Sequence, residues 1–230
     1  MTIWFATGNK NKKNELKNIL SGAVLKTAEA AKGTDYKFNN SWEIKIPADA
    51  GINFDPEESG NTFLENALIK AGELYRLLEE HHYGARGDPV IADDSGICVD
   101  ALNGRPGIHS ARYCGPGLTA SNKKLDAAER NSLLLAELGD NPRRSARFVC
   151  AMVLYYGPNR FYAAQETMEG ELVKNAESAR GKGGFGYDPI LFIPEMRRTV
   201  AELTEDEKNQ WSHRGKAGKI IAKILGGINT

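Results

Sequence analysis

Strand-length apolar runs alternate with amphipathic helical stretches along the 230 residues, and this alternation is the feature that most constrains the fold. The first run, Thr2–Ala6, passes through a Thr-Gly-Asn turn into a helical stretch that ends near Leu20. From Thr62, leucines and alanines recur at the spacing of one helix face. The alternation predicts an α/β fold, with a central β-sheet flanked by helices.

Later segments add a hairpin and a C-terminal group of helices. Apolar runs on either side of Gly157-Pro158 predict a β-hairpin, so the sheet should be mixed. Helices are predicted from about Thr119 to Leu138 and towards Leu225, with a short separate helix at Ser212–Arg214. Thr204–Glu207 has the form of a capping box, in which two side chains satisfy free amides at a helix start.

Four turn-forming residues, Asp93-Asp94-Ser95-Gly96, separate the strand-like runs Pro89–Ala92 and Ile97–Leu102. We therefore predict a break between two strands at this point. Consecutive residues of an extended chain point to opposite sides, so only one carboxylate should face a given site. That carboxylate could ligate Mg²⁺ or act as a general base towards water, and its companion could be a buried structural acceptor. The alternative is an Asx-type turn with no chemical role.

The charge balance excludes some classes of partner. Thirty basic and thirty acidic residues cancel, which argues against long nucleic acid or anionic lipid held by a global basic field. Residues 51–100 nevertheless hold 3 bases and 11 acids, and the stretches on either side are basic. A site uniting them could hold a cation with a small polyanion, although charge runs are also typical of solvated surfaces.

Apolar length and cysteine use argue for a cytoplasmic protein that does not enter a membrane. The longest apolar run, Phe148–Tyr156, has nine residues, where a spanning helix needs about 20. The N-terminus lacks the apolar region of a signal peptide. Three distant cysteines without a C-x-x-C pair predict free thiols in a reducing compartment.

Three further motifs could bind parts of a nucleotide. The turn at Thr7–Lys12 joins a strand to a helix start, which suits phosphate, though it could equally be a polar turn. The glycine-embedded Phe185 and Tyr187 could stack on a base, or could pack into the core. His213 and Arg214 offer donors for carbonyl groups, although such pairs often serve a helix end.

The order of these motifs closely resembles the inosine/xanthosine triphosphate pyrophosphatase family. The motifs are T-G-N-x-x-K at 7–12, E-S-G-N-T-F-x-E-N-A at 58–67, A-D-D-S-G at 92–96, P-G-I-x-S-A-R-Y at 106–113, G-G-F-G-Y-D-P-I at 183–190 and S-H-R at 212–214. Members of that family hydrolyse non-standard purine nucleoside triphosphates to the monophosphate and pyrophosphate, which removes them from the nucleotide pool. The resemblance implies one domain over residues 1–230, a mixed sheet in two lobes around a nucleotide-binding cleft, a homodimer and dependence on Mg²⁺.

Residue by residue, the resemblance also implies a set of roles. Glu58 and Asp94 fall on the metal positions, and Asp94 is also the implied base. The phosphate positions are Thr7, Gly8, Asn9, Lys10, Asn11, Lys12, Lys70 and Ser95. The base-binding positions are Phe185, Gly186, Tyr187, Asp188, Lys208, His213 and Arg214. Residues 29–56 match nothing in the family and have no assigned role, and Glu57 leaves the metal assignment open by one residue.

The predicted reaction is hydrolysis of ITP, dITP and XTP by a water that attacks the α-phosphorus. Two alternatives remain at this point. One is a diphosphatase for other modified nucleotides, and the other is a module that binds nucleotides without turning them over.

Overall fold

The computed structural model of the chain describes residues 2–9, 12–21, 42–83, 87–116 and 125–228. These residues form a seven-stranded sheet with the order β2-β1-β3-β4-β5-β6-β7. The strands are β1 (Thr2–Phe5), β2 (Glu43–Lys45), β3 (Val90–Val99), β4 (Ser145–Tyr155), β5 (Phe161–Leu172), β6 (Leu191–Ile193) and β7 (Arg198–Thr199). The helices are α1 (12–21), α2 (Phe63–Glu80), α3 (Ala127–Leu138), α4 (Glu205–Trp211) and α5 (His213–Ile228).

The sheet is mixed, as predicted. β1 pairs in parallel with β2 and β3, whereas β6 pairs antiparallel with β5 and β7. The Tyr156 N–H donates to the Arg160 carbonyl, and the Leu172 N–H donates to the Arg144 carbonyl. This register is that of an antiparallel hairpin, so the predicted β4–β5 hairpin is confirmed.

The predicted strand break at Asp93–Gly96 is wrong. β3 runs without interruption from Val90 to Val99, and both Asp93 and Asp94 are buried within it. Aspartate, serine and glycine favour turns because their side chains, or the lack of one, suit the tight backbone. Here that local preference is overridden because β3 lies between β1 and β4 in the sheet.

Two helix boundaries also differ from the prediction. α3 begins at Ala127, after an N-cap at Asp126 whose side chain accepts the Glu129 N–H, and not near Thr119. Residues 117–124 lie outside the described residues. His213 opens the long helix α5 and does not form a separate short helix. The capping box of Thr204 and Glu207 at the start of α4 is confirmed.

The fold divides into two compact units. The first comprises the chain up to Asp94, Cys150–Glu166 and the chain from Arg214, and its core includes Phe5, Ile91 and Leu154. The second comprises Ser95–Val149 and Thr167–His213. Each unit buries its own apolar clusters.

Part of the unassigned segment 29–56 forms an edge strand of the sheet, in the first unit. Its residues 29–41 lie outside the described residues, but Glu43–Lys45 form the edge strand β2 beside β1. In the 3₁₀ turn Pro47–Ala50 that follows, Asp49 accepts the Ile46 N–H at 2.9 Å and the Lys13 ammonium at 2.5 Å. The segment is thereby tied to α1.

Two further sequence expectations concern the cysteines and membrane-spanning helices. Cys98, Cys114 and Cys150 are free thiols, as predicted. None of the helices in the described part of the chain is long and apolar enough to span a membrane.

Candidate functional site

Asp93 is the centre of a buried ion group in the first unit. Lys12 Nζ lies 3.0 and 3.1 Å from its two carboxylate oxygens, and Arg214 donates to it at 3.1 Å. Arg214 also donates to Glu15 Oε2 at 2.7 Å and is only 2% exposed. Burial opposes ionisation of Asp93, but the charges of Lys12 and Arg214 outweigh it and hold the pKa of this carboxyl well below its usual range. Asp93 is therefore a fixed anion.

Asp94 has a different set of partners. Its Oδ2 accepts the Asn66 amide at 3.2 Å, and its Oδ1 lies 3.1 Å from Lys70 Nζ. The same ammonium lies 2.8 Å from Glu58 Oε1. Burial raises the pKa of Asp94, and the charge of Lys70 only partly opposes this. We call Glu58, Lys70 and Asp94 the carboxylate–lysine group.

The start of α2 positions this group. Thr62 caps the helix, because its hydroxyl accepts the Glu65 N–H and the Glu65 carboxylate accepts the Thr62 N–H. Asn66 accepts the Gly60 N–H at 2.9 Å while its amide donates to Asp94. A side chain at Gly60 would meet Asn66 Oδ1 at 2.7 Å, so only glycine allows this close approach. The loop that carries Glu58 is thereby fixed to the helix that carries Lys70.

The glycine turn at the start of α1 is held by hydrogen bonds between its own residues. The Asn9 N–H donates to Thr7 Oγ1 at 3.1 Å, and Gly8 faces open space. The Lys12 N–H donates to Asn9 Oδ1 at 3.4 Å. Lys10 and Asn11 lie outside the described residues. A helix start preceded by an open glycine can present amides to an anion.

In the second unit, a glycine-rich loop carries the predicted stacking residue. We call residues 183–188 the aromatic loop. Asp188 Oδ2 accepts the Phe185 N–H at 3.0 Å and the Lys208 ammonium at 2.7 Å. Lys208 Nζ also lies 5.5 Å from the centre of the Phe185 ring. Phe185 is 42% exposed, so its ring is available to a ligand.

Tyr187 and His213 are held by other contacts within the second unit. Tyr187 is buried, and its hydroxyl donates to the Ser110 carbonyl at 2.8 Å. The His213 ring stacks on Phe148 with 5.0 Å between centroids and 24° between planes. Phe185 and not Tyr187 is therefore the aromatic residue of the loop that can take part in stacking.

Comparison with known proteins identifies the family. The Ham1 family model matches residues 3–224. A dITP/XTP pyrophosphatase of Treponema denticola is 44% identical over 227 residues, which cover 99% of this chain and 100% of that protein. The chain belongs to the Ham1 family.

Solved structures of the Ham1 family share the fold. The Ham1 protein of Staphylococcus aureus is 33% identical with a TM-score of 0.73, and the match covers 99% of both chains. A HAM1 protein from Coxiella burnetii is also 33% identical, with a TM-score of 0.74 and 98% coverage of both chains. The α/β fold with a mixed sheet, as predicted from sequence, is thus a property of this family.

The carboxylate–lysine group fits a divalent cation. Glu58 and Asp94 offer hard oxygen ligands, and they already share one positive charge, the ammonium of Lys70. Among the described residues, no cluster of three or more His, Cys, Asp or Glu side chains is placed to hold a metal ion. Two carboxylates are what Mg²⁺ uses when substrate phosphates complete its shell. Of the consecutive glutamates Glu57 and Glu58, it is Glu58 that contacts Lys70, whereas Glu57 is exposed.

Two residues near the site, Asn66 and Glu15, escaped the sequence analysis. Asn66 lies inside the E-S-G-N-T-F-x-E-N-A motif but had no assigned role. Asp93 is the buried acceptor that the sequence analysis allowed beside Asp94. Glu15 follows Lys12 by one helical turn, which was the available signal for a shared face. The pairing of Arg214 with Glu15 and Asp93 joins residues far apart in sequence, and no local pattern indicates it.

Proposed function

We propose that this Ham1-family chain hydrolyses the non-standard purine nucleotides ITP, dITP and XTP to the monophosphate and pyrophosphate. The observation that carries the proposal is the carboxylate–lysine group, in which one ammonium bridges Glu58 and Asp94. Such a group suits a cation–polyphosphate complex, because the carboxylates hold the cation and the lysine binds phosphate. The near full-length similarity to dITP/XTP pyrophosphatases supports the choice of substrate.

The phosphate part of the reaction is assigned to residues of the first unit and to Ser95, the first residue of the second unit. Glu58 and Asp94 would hold Mg²⁺, which when bound neutralises charge on the phosphate oxygens. Asp94 accepts a proton from the attacking water, because its burial raises its pKa and makes it a better base than an exposed aspartate. Lys12, Lys70 and the turn residues Thr7, Gly8, Asn9, Lys10 and Asn11 bind the phosphates. Ser95, next to Asp94 in β3, is also assigned to them.

The base part belongs to the aromatic loop and its neighbours. Phe185 stacks on the purine, and Gly186, Tyr187 and Asp188 shape the loop around it. Lys208 donates to the 6-oxo group that hypoxanthine and xanthine share, and His213 supplies a further donor. Adenine presents an amino group at that position, so a donor facing it would lose its partner, which is costly.

Arg214 is proposed to act indirectly. Its guanidinium is bound to Asp93 and Glu15, and it is buried. We assign to it the orientation of Asp93, which in turn holds the Lys12 ammonium. The S-H-R motif is therefore the only ground for counting Arg214 among the base-binding residues, and we do not propose that it contacts the base.

The test is product analysis of ITP incubated with the protein and Mg²⁺. IMP with pyrophosphate supports the proposal, whereas IDP with phosphate refutes the bond that is proposed to break. A parallel panel of XTP, dUTP and methylated nucleotides distinguishes a diphosphatase for other modified nucleotides. Tight binding of ITP without turnover in Mg²⁺ would indicate a non-catalytic module.

Oligomeric state is a separate part of the proposal. Following the family resemblance, we propose that the chain forms a homodimer. Light scattering coupled to size-exclusion chromatography gives the mass directly, and a value of one chain at micromolar concentration would contradict it.

A further inference from the structure

A polar residue interrupts the buried face of α3. The residues of this helix that are buried are Asn131, Leu134, Leu135 and Leu138, which recur at the spacing of one helix face. Leucine would suit the first position better, because asparagine has the lower helix propensity and carries an amide that must find partners when buried. Packing alone therefore does not explain Asn131.

The Asn131 amide makes a specific contact with the aromatic loop. Its Nδ2 donates to the Gly186 carbonyl at 3.2 Å, and the residue is only 8% exposed. Within the described part of the chain, no donor bonds its Oδ1, so the donated bond is the one polar contact of this amide that the described residues provide. The polar contact of the Asn131 side chain is therefore with the loop carbonyl and not with its own helix.

The aromatic loop needs such a contact because packing does not fill the space beside it. A cavity of about 340 Å³ lies between the loop and α3, and it is bordered by Asn131, Ser132 and Phe185. Gly184 and Gly186, on either side of Phe185, have φ values of +79° and +65°. A chain with glycine on both sides of the aromatic residue has many alternative conformations to lose. Specific hydrogen bonds must therefore select one of them.

We propose that Asn131 is a positioning residue that holds the Gly186 carbonyl and so fixes the orientation of Phe185 for base stacking. This role rests on the proposed function, because it assigns to Asn131 part of the affinity for the base. The bonds from Phe185 N–H to Asp188 and from Gly183 N–H to the Ala201 carbonyl hold the other side of the loop. Asn131 supplies the link to α3.

The first test measures the loop directly in the ligand-free protein. Asn131→Leu completes the apolar face of α3 and removes the donor, so the helix should remain folded. We expect hydrogen–deuterium exchange of residues 183–188 to become about fivefold faster, with α3 unchanged. Ser132→Ala is the matched control, since Ser132 borders the same cavity one residue further along the helix. Unchanged exchange of the loop in Asn131→Leu would overturn the proposal.

The second test separates base binding from phosphate binding. In Asn131→Leu we expect the KM for ITP to rise about fivefold with kcat within about twofold of the wild type. Inhibition by inorganic tripolyphosphate, which has no base, should be unchanged. An equal loss of tripolyphosphate inhibition would mean a general structural defect and would refute the positioning role. Asn131→Ala repeats both measurements in case leucine overpacks the site.

The two proposals fail in different ways. If the wild-type protein releases no pyrophosphate from ITP, the proposed function fails, while the exchange comparison still decides whether Asn131 anchors the loop. If the wild type is active and the exchange of the loop is unaffected by Asn131→Leu, only the positioning role fails.

Discussion

Asp93 and Asp94 are consecutive in β3 but contact different cations on different elements. Asp93 is paired with Lys12 of α1 and Arg214 of α5, and Asp94 is paired with Lys70 of α2. Their neighbours follow the same alternation, since Ile91 packs with one apolar cluster and Ala92 with another. Because consecutive side chains of a strand point to opposite sides, Asp93 lies in the buried ion group and Asp94 lies in the carboxylate–lysine group proposed to act in hydrolysis.

Isosteric amides at the two positions should therefore differ in their effect on stability. Asp93→Asn leaves Arg214 buried with a neutral neighbour, so we expect a loss of about 3 kcal/mol in the free energy of unfolding. Asp94→Asn should cost little stability, because burial already disfavours the charged form of Asp94. Its turnover of ITP should fall at least about 100-fold through loss of the base. Urea unfolding and pyrophosphate release measure the two effects.

The two variants are compared in the same unfolding and pyrophosphate-release assays. Full pyrophosphate release by Asp94→Asn would remove the role given to this residue. An Asp93→Asn protein as stable as the wild type would mean that the buried ion group contributes nothing to folding.

The elements that sequence predicted well are those determined by neighbouring residues. The capping box at Thr204 and the hairpin around Gly157 depend on a few adjacent residues, so their patterns were sufficient. β3 was predicted as two strands because its four central residues are turn formers. The cations that pair with Asp93 within the strand, Lys12 and Arg214, are 81 and 121 residues away from it, so no local pattern indicates them. Motif order indicated Glu58 and Asp94 as candidate metal ligands. The position of Lys70 between them could not be predicted, because it depends on the fold bringing α2 beside β3.

Lys70 should compete with a divalent cation in the absence of substrate. Its ammonium lies between the two carboxylates that we assign to the metal. In Lys70→Met the repulsion between cation and ammonium is removed, so the affinity of the substrate-free protein for Mn²⁺ should rise on the order of tenfold. Turnover of ITP should fall, because a phosphate ligand is lost. Calorimetric titration with Mn²⁺ and a pyrophosphate assay test the two parts.

Lys45→Met is a suitable control for the loss of one positive charge, since Lys45 lies on β2 and pairs with Glu43. Its Mn²⁺ affinity should match that of the wild type. Weaker Mn²⁺ binding by Lys70→Met would argue that the cation is held elsewhere.

Gly184 should be sensitive to substitution for steric reasons. A Cβ at this position would lie 2.0 Å from Asp188 Oδ2 and 2.8 Å from Lys208 Nζ. Gly184→Ala must therefore displace the Asp188–Lys208 pair, and we expect the KM for ITP to rise about tenfold. Gly104 has nearly the same φ, +81° against +79°, with open space around its missing Cβ. Gly104→Ala should cost about 1 kcal/mol of stability from backbone strain and leave the KM unchanged.

The helix that carries Lys208 should lose stability in acid through Glu207. Arg198 donates to its carboxylate at 2.6 and 3.1 Å, and this bond, with the Thr204 N–H, lowers the pKa of Glu207 from 4.5 to about 2. Because the folded pKa is the lower one, the ionised carboxylate stabilises the fold above about pH 4.5, and this contribution is lost as the pH falls towards 2. The difference in unfolding free energy between wild type and Glu207→Gln should therefore shrink over that range. In an Arg198→Met background the same substitution should show much less dependence on pH, and equal pH dependence in both backgrounds would mean that Arg198 is not the cause.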